Sequence, residues 1–283
     1  MNNTYKLGLY EKSMPNEYTL RRKLDEARKA GYDYLELSID ETDEKLTRLD
    51  WTAGDRNAIR RNMAEAGVPI KSICLSGHRR FPLGDPDADA RVRSLDMMEK
   101  AVNLAAALGV RIIQLAGYDV YYKDSSVDTR AWFLENLKKS AEMAAREGVV
   151  LGFETMETPF MDTVGKAMAW VDAVQSPYLQ VYPDLGNLTN AALIYGSDVS
   201  GDIMLGNGHI SAMHLKETIP GHYREIPYGT GHVDFVSGVK TAWNLGVRMF
   251  VGEFWHMGEA DVPDVLRGNC EFLRNAIDAA GGL

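Results

Sequence analysis

Four residues, each at the end of an apolar run, are of types that could do chemistry together. Glu154 lies in VVLGFET (149–155), Asp184 closes LQVYPD (179–184), His214 falls in ISAMHLK (210–216) and Glu253 in RMFVGEF (248–254). A run of this kind reads as a buried strand, and an unpaired carboxylate at its end is costly. Three carboxylates and one imidazole brought to one place would repel strongly without a cation. With one, they form a mixed oxygen and nitrogen shell suited to a single divalent metal ion: Mn²⁺, Co²⁺, Mg²⁺ or Zn²⁺. Taken singly, each also reads as a surface acid or a hydrogen-bonded core histidine. Recurrence on four successive strands is what favours the metal.

Such convergence needs an architecture that collects strand ends. Four earlier runs, KLGLYE (6–11), YLELSI (34–39), IKSICLS (70–76) and VRIIQLAG (110–117), bring the candidate strands to eight. Helical patterns at 17–30, 54–66, 88–108, 127–147, 162–174, 187–198, 234–245 and 259–280 lie between them. In EARKAGYDYLEL, MAEAGVPIKSI, AAALGVRIIQL and AAREGVVLGFE, a helix passes through a glycine suited to a C′ cap and into a strand. The strands are apolar on successive residues, as expected where both faces are buried. Eight such units predict the α/β class and a (β/α)8 TIM barrel, with reactive groups at the C-terminal strand ends. No low-complexity segment or Pro/Gly-rich hinge divides the chain, and the loop 216–233 is too short for a second domain. A single TIM-barrel domain over residues 1–283 is therefore expected. The remaining strand ends would contribute Glu11 and Lys12, then Glu36, then Gly77, His78, Arg79 and Arg80, then Tyr118.

Composition excludes some partners. The 45% of apolar residues can fill a large core, and a net charge of −9 with no basic stripe argues against nucleic acid. A local basic pocket for an anionic substrate is compatible with that charge. Cys74 and Cys270 are far apart and in no metal or redox spacing, which suggests a reducing compartment, with Cys74 a small core residue. MNNTYKLGLYEK has no apolar signal-peptide core, and no stretch reaches the roughly 18 apolar residues of a membrane span. A cytoplasmic protein with no membrane partner is expected.

The segments GFETMETPF, VYPDLGN, AMHLKE and REIPYGTGHVDF resemble the xylose-isomerase-like barrels, and within them the L-xylulose 5-phosphate (L-ribulose 5-phosphate) 3-epimerases. KSICLSGHRRFPLGD resembles the epimerases specifically, whereas the Glu/Asp/His/Glu quartet alone would indicate only the superfamily. The resemblance implies that Glu154, Asp184, His214 and Glu253 hold one divalent metal. It further implies that Glu154 and Glu253 are the catalytic pair on opposite faces of a ketose. One would remove the C3 proton as general base, giving a cis-enediolate, and the other would return a proton to the opposite face. For a sugar phosphate, Lys12, His78, Arg79, Arg80, His222 and Arg224 are the candidate substrate contacts, because arginine suits bidentate phosphate binding. Arg224 matches the family position expected to touch substrate. HRR also reads as a solvated basic turn, and Lys12 as a partner of Glu11.

Other features carry less. Lys216 is placed to orient a ligand carboxylate, Glu157 is substrate-proximal or solvated, and Trp255 could wall the pocket. His256 reads as a packed loop residue and His209 as lying at the opposite face. Met97, Met98 and Met143 read as core fillers, and GTGHVDF lacks the context of a nucleotide loop. A non-phosphorylated ketose would use the same metal and glutamates. An aldose–ketose isomerase often needs a second metal set, for which no residues are evident. A three-zinc apurinic-endonuclease-like hydrolase needs more than the six histidines present, and a non-catalytic sugar-binding barrel leaves the quartet unexplained. Analogy with related barrels suggests a homodimer.

Overall fold

The computed structural model describes residues 5–281. Eight strands alternate with helices: β1 (Lys6–Tyr10), β2 (Tyr34–Ile39), β3 (Ile70–Leu75), β4 (Ile112–Ala116), β5 (Val150–Glu154), β6 (Leu179–Val181), β7 (Met213–Leu215) and β8 (Met249–Gly252). The helices are α1 (Leu20–Ala30), α2 (Asp43–Leu46), α3 (Ala53–Ala66), α4 (Ala88–Leu108), α5 (Val127–Glu147), α6 (Val164–Val174), α7 (Leu185–Tyr195), α8 (Val199–Met204), α9 (Phe235–Asn244) and α10 (Val262–Gly281). Every strand pair is parallel, in the order β6-β5-β4-β3-β2-β1-β8-β7. Two bridges, Val181 to Ile210 and Asp184 to His214, close the sheet between β6 and β7. The result is the (β/α)8 TIM barrel that the sequence predicts.

The helix–glycine–strand signature has the expected cause. Gly31, Gly67, Gly109 and Gly148 end α1, α3, α4 and α5 in the left-handed conformation, where a Cβ would clash. The expected helix at 187–198 is α7, which Gly196 ends at Tyr195; α8, capped by the Asp198 side chain, lies beyond that range and was not expected. α2 was not expected; Thr42 caps it.

Alternation along each strand decides what faces inward. Leu7, Leu9, Leu35, Leu37, Ile73, Leu75, Ile113, Leu115, Leu151 and Phe153 join the core between barrel and helices. The alternate set, Tyr10, Tyr34, Cys74, Tyr182, Ala212 and Val251, forms a separate cluster inside the barrel. Glu36, Gln114, Glu154, Asp184, His214 and Glu253 have the parity of that inner set, so the pleat that buries the leucines points these polar groups at the barrel axis.

Candidate metal centre and active site

Glu154 is the last residue of β5, His214 the middle residue of β7, and Asp184 and Glu253 lie just past β6 and β8. One ligand atom from each lies within 4.8 Å of those of the other three. All four side chains are almost fully buried, at 0–6% exposure. Asp184 also caps α7: its Oδ1 accepts the Asn187 backbone N–H at 2.6 Å. That fixes the carboxylate and leaves Oδ2 buried without a hydrogen bond, as is Glu253 Oε2. The Gln114 side-chain amide donates to Glu154 Oε2, and His214 Nδ1 lies 3.1 Å from Glu154 Oε1 and 3.3 Å from Glu253 Oε2. The Lys216 ammonium stands 3.4 Å from Asp184 Oδ2 and 3.2 Å from Glu253 Oε2.

Electrostatics show how strongly these groups act on one another. Burial pushes the Asp184 carboxyl up to about 8. Burial also raises Glu154, with the Glu253 charge adding to the push. Burial would raise Glu253 too, but the Lys216 ammonium and the His214 ring outweigh it and hold that carboxyl well below its usual range. On His214, burial opposes the charged form, yet Glu36 and Glu253 prevail and raise it. Protons are thus drawn onto a site crowded with negative charge. Each buried ion costs on the order of several kcal/mol, and one lysine cannot offset three carboxylates. Two orphaned carboxylate oxygens, a third carboxylate and an imidazole nitrogen at this spacing are a donor set that fits one divalent cation.

The centre opens into a cavity lined by Tyr10, Lys12, Cys74, Ser76, Arg79, Glu157, Asn187, Lys216, Arg224 and Trp255, together with Glu154 and Glu253. Three of the six basic candidates reach it. Lys12 pairs with Asp40 at 2.6 Å, not with Glu11, whose carboxylate takes Lys23, Lys45 and Arg48. Arg79 lies over the Tyr121 ring at 4.6 Å, and its Nε is buried without a partner. Arg224 pairs with Glu157 at 3.2 Å.

His78, Arg80 and His222 are elsewhere. Ser76–Arg79 is a 3₁₀ turn, in which successive side chains fan out by about 120°. His78 therefore turns into the core, its Nε2 3.2 Å from the Ser94 carbonyl, and burial lowers its pKa to about 4. Arg80 turns outward to Asp43 at 2.6 Å. His222 is exposed, its backbone paired with Ile219 in a turn. Cys74, expected as plain core, is buried yet contributes to the cavity wall. His256 pairs with Glu259 at 2.8 Å in its loop.

The sequence reading passed over Gln114 and Asn187, and it placed Glu36 at a strand end although it is the third residue of β2. A polar residue with inward parity inside an apolar run was the available signal for both Glu36 and Gln114.

The xylose isomerase-like TIM barrel model matches residues 24–276. The chain belongs to that family. Within this barrel family it is 44% identical over 240 residues to L-ribulose-5-phosphate 3-epimerase UlaE of Escherichia coli (strain SMS-3-5 / SECEC), covering 85% of this chain and 83% of that protein. The UlaE protein of Shigella flexneri is 39% identical over 276 residues, or 97% and 96% of the two chains. Among solved barrels, D-psicose 3-epimerase from Clostridium cellulolyticum H10 superposes with a TM-score of 0.80 at 16% identity, over 96% of this chain and 99% of that one. At that identity the likeness is one of fold.

Proposed function

We propose that this protein is a divalent-metal-dependent isomerase, a 3-epimerase that interconverts L-ribulose 5-phosphate and L-xylulose 5-phosphate. The observation that carries the reading is the convergence of Glu154, Asp184, His214 and Glu253 at a cavity walled by Lys12, Arg79 and Arg224. The relatives that share most of the chain's length, named for this epimerisation, support it.

Glu154, Asp184, His214 and Glu253 would hold the cation. When bound, it supplies Lewis-acid polarisation of the C2 carbonyl and C3 hydroxyl. β5 and β8 are three strands apart around the barrel, so Glu154 and Glu253 approach a substrate from different walls. One carboxylate removes the C3 proton and the other delivers a proton to the opposite face of the planar enediolate, which inverts C3. Which glutamate acts first reverses with the direction of reaction. Gln114 holds Glu154 by donating to the oxygen that does not face His214, and Lys216 keeps Glu253 ionised. Lys12, Arg79 and Arg224 are the donors available for the sugar hydroxyls and the phosphate. Trp255 walls the cavity against water.

A 3-epimerase fits better than a two-metal aldose–ketose isomerase, because among the described residues one cluster able to hold an ion is found. The reading takes the chain as one barrel domain in a cytoplasmic homodimer, the latter checked by light scattering. The test of function is product analysis on the Mn²⁺-loaded protein. L-Ribulose 5-phosphate should yield L-xylulose 5-phosphate, and the free ketoses should turn over at least tenfold more slowly. Formation of an aldose instead would overturn the reading.

A further inference from the structure

Below the four-residue centre, on the side away from the cavity, the barrel interior holds a second buried carboxylate. Glu36 on β2 is fully buried, and its Oε1 lies 2.6 Å from His214 Nε2. Its other oxygen, Oε2, accepts the Ser72 hydroxyl at 2.6 Å and the Tyr182 hydroxyl at 2.9 Å. Room for this arrangement is built into the strands. A Cβ at Gly8 would lie 2.4 Å from the Tyr34 ring, and one at Gly152 would lie 3.0 Å from Tyr182 Cβ. The Tyr182 ring packs T-shaped against the His214 ring at 4.9 Å, a further contact that restrains the imidazole.

With the imidazole neutral, as a metal ligand must be, the hydrogen bonds of this column have one solution. Two hydroxyl donors occupy Oε2, which leaves Oε1 needing a donor, and the nearest group is His214 Nε2. A neutral imidazole carries one N–H. If Nε2–H donates to Glu36, the lone pair is on Nδ1, the atom that faces Glu154 and Glu253. The opposite tautomer would turn an N–H toward the cation and leave Nε2 facing Glu36 with no proton between two acceptors. That is the costly alternative in a dry interior.

We infer that Glu36 is a positioning residue: through Nε2–H of His214 it fixes the tautomer and ring orientation in which Nδ1 is the metal-binding nitrogen, with Ser72 and Tyr182 holding Glu36 in turn. The inference rests on the metal reading of the four-residue centre. Partners of this kind set metal affinity, typically by about 10–100-fold.

The test uses Mn²⁺ alone, titrated by calorimetry with a competing chelator, and long-range ¹H–¹⁵N spectra of the Zn²⁺-loaded protein. Glu36→Leu should weaken Mn²⁺ binding about 10–100-fold. Glu36→Gln, which keeps an acceptor for Nε2–H, should recover most of that loss. Tyr182→Phe, which leaves the imidazole's own partner in place, should lose less than Glu36→Leu. In the native protein the His214 signals, assigned by their loss in His214→Asn, should show Nε2 protonated. A merely structural role would lower the melting temperature without moving affinity or tautomer. Native-like Mn²⁺ affinity in a folded Glu36→Leu, or a protonated Nδ1 in the native protein, overturns the inference and leaves the metal reading intact. If Glu36→Leu does not fold, the native spectrum decides alone. Failure of the native protein to bind any divalent ion overturns both.

Discussion

In the second half of the barrel, β5 to β8 deliver Glu154, Asp184, His214 and Glu253 to within 4.8 Å of one another. In the first half, the turn after β3 sends three consecutive basic residues three ways: His78 into the core, Arg79 to the cavity, Arg80 to the surface. The difference lies in what holds each residue. A strand residue inherits its direction from the pleat, which the buried leucines of the other face enforce. A turn residue takes its direction from the local rotation, and one residue of slip sends it elsewhere. Charge follows the same division. The second half gathers three carboxylates in a donor set that fits a cation, while in the first half Glu11 meets Lys23, Lys45 and Arg48.

Substitutions in the two halves should separate cleanly. The largest effect belongs to the pleat-directed carboxylates. Glu154→Gln and Glu253→Gln should each lower the rate of C3 proton exchange about 10³-fold, within the usual range for a positioned acid or base. Activity within tenfold of native in either variant removes that residue from the proton-transfer pair.

His78 should matter for stability and not for catalysis. Its pKa is lowered by burial to about 4 when folded, against an ordinary histidine value of 6.5, so the unfolded chain takes up the proton first as pH falls. The stabilising contribution is therefore complete above about pH 6.5 and is lost as the pH falls toward 4, an effect of up to about 3 kcal/mol. Denaturant titrations should show His78→Phe losing less stability across that window than the native protein, with kcat/KM at neutral pH within about threefold of native. A kcat/KM collapse in a stably folded variant would return His78 to the site.

Arg79 and Arg80 provide the finest comparison. Arg79→Ala should raise KM for the phosphorylated ketose about tenfold, the cost of one charge-assisted hydrogen bond. Arg80→Ala, which loses an exposed ion pair with Asp43, should change KM by less than about twofold. Equal effects would mean that the fan of the turn is not what separates them. An equal rise for free and phosphorylated ketose in Arg79→Ala would assign Arg79 to the sugar.

The same division explains what could be read from the sequence. The eight units, the glycine caps and the quartet were legible because burial on both strand faces and a repeated helix ending leave marks at fixed spacing. Asp184 was doubly marked, as a strand-end acid and as the cap of α7. Glu36 and Gln114 were visible as polar residues in apolar runs, but a run alone does not say which residue ends it, and Glu36 was placed one level too high in the barrel. Adjacency suggests Glu11 as a partner for Lys12, whereas within the 3₁₀ turn Glu11–Ser13 that follows β1 Lys12 pairs with Asp40. Contacts between turns, such as Arg224 with Glu157, depend on distant loops and have no local signature.

The most direct test of the account is proton exchange at C3. Mn²⁺- or Mg²⁺-loaded protein in D₂O is given L-xylulose 5-phosphate and followed by NMR. Deuterium entering at C3 as L-ribulose 5-phosphate appears is the predicted result, and both should fail in Glu154→Gln and Glu253→Gln. Deuterium at C1, or epimerisation without solvent exchange that persists in those variants, would contradict the two-glutamate centre.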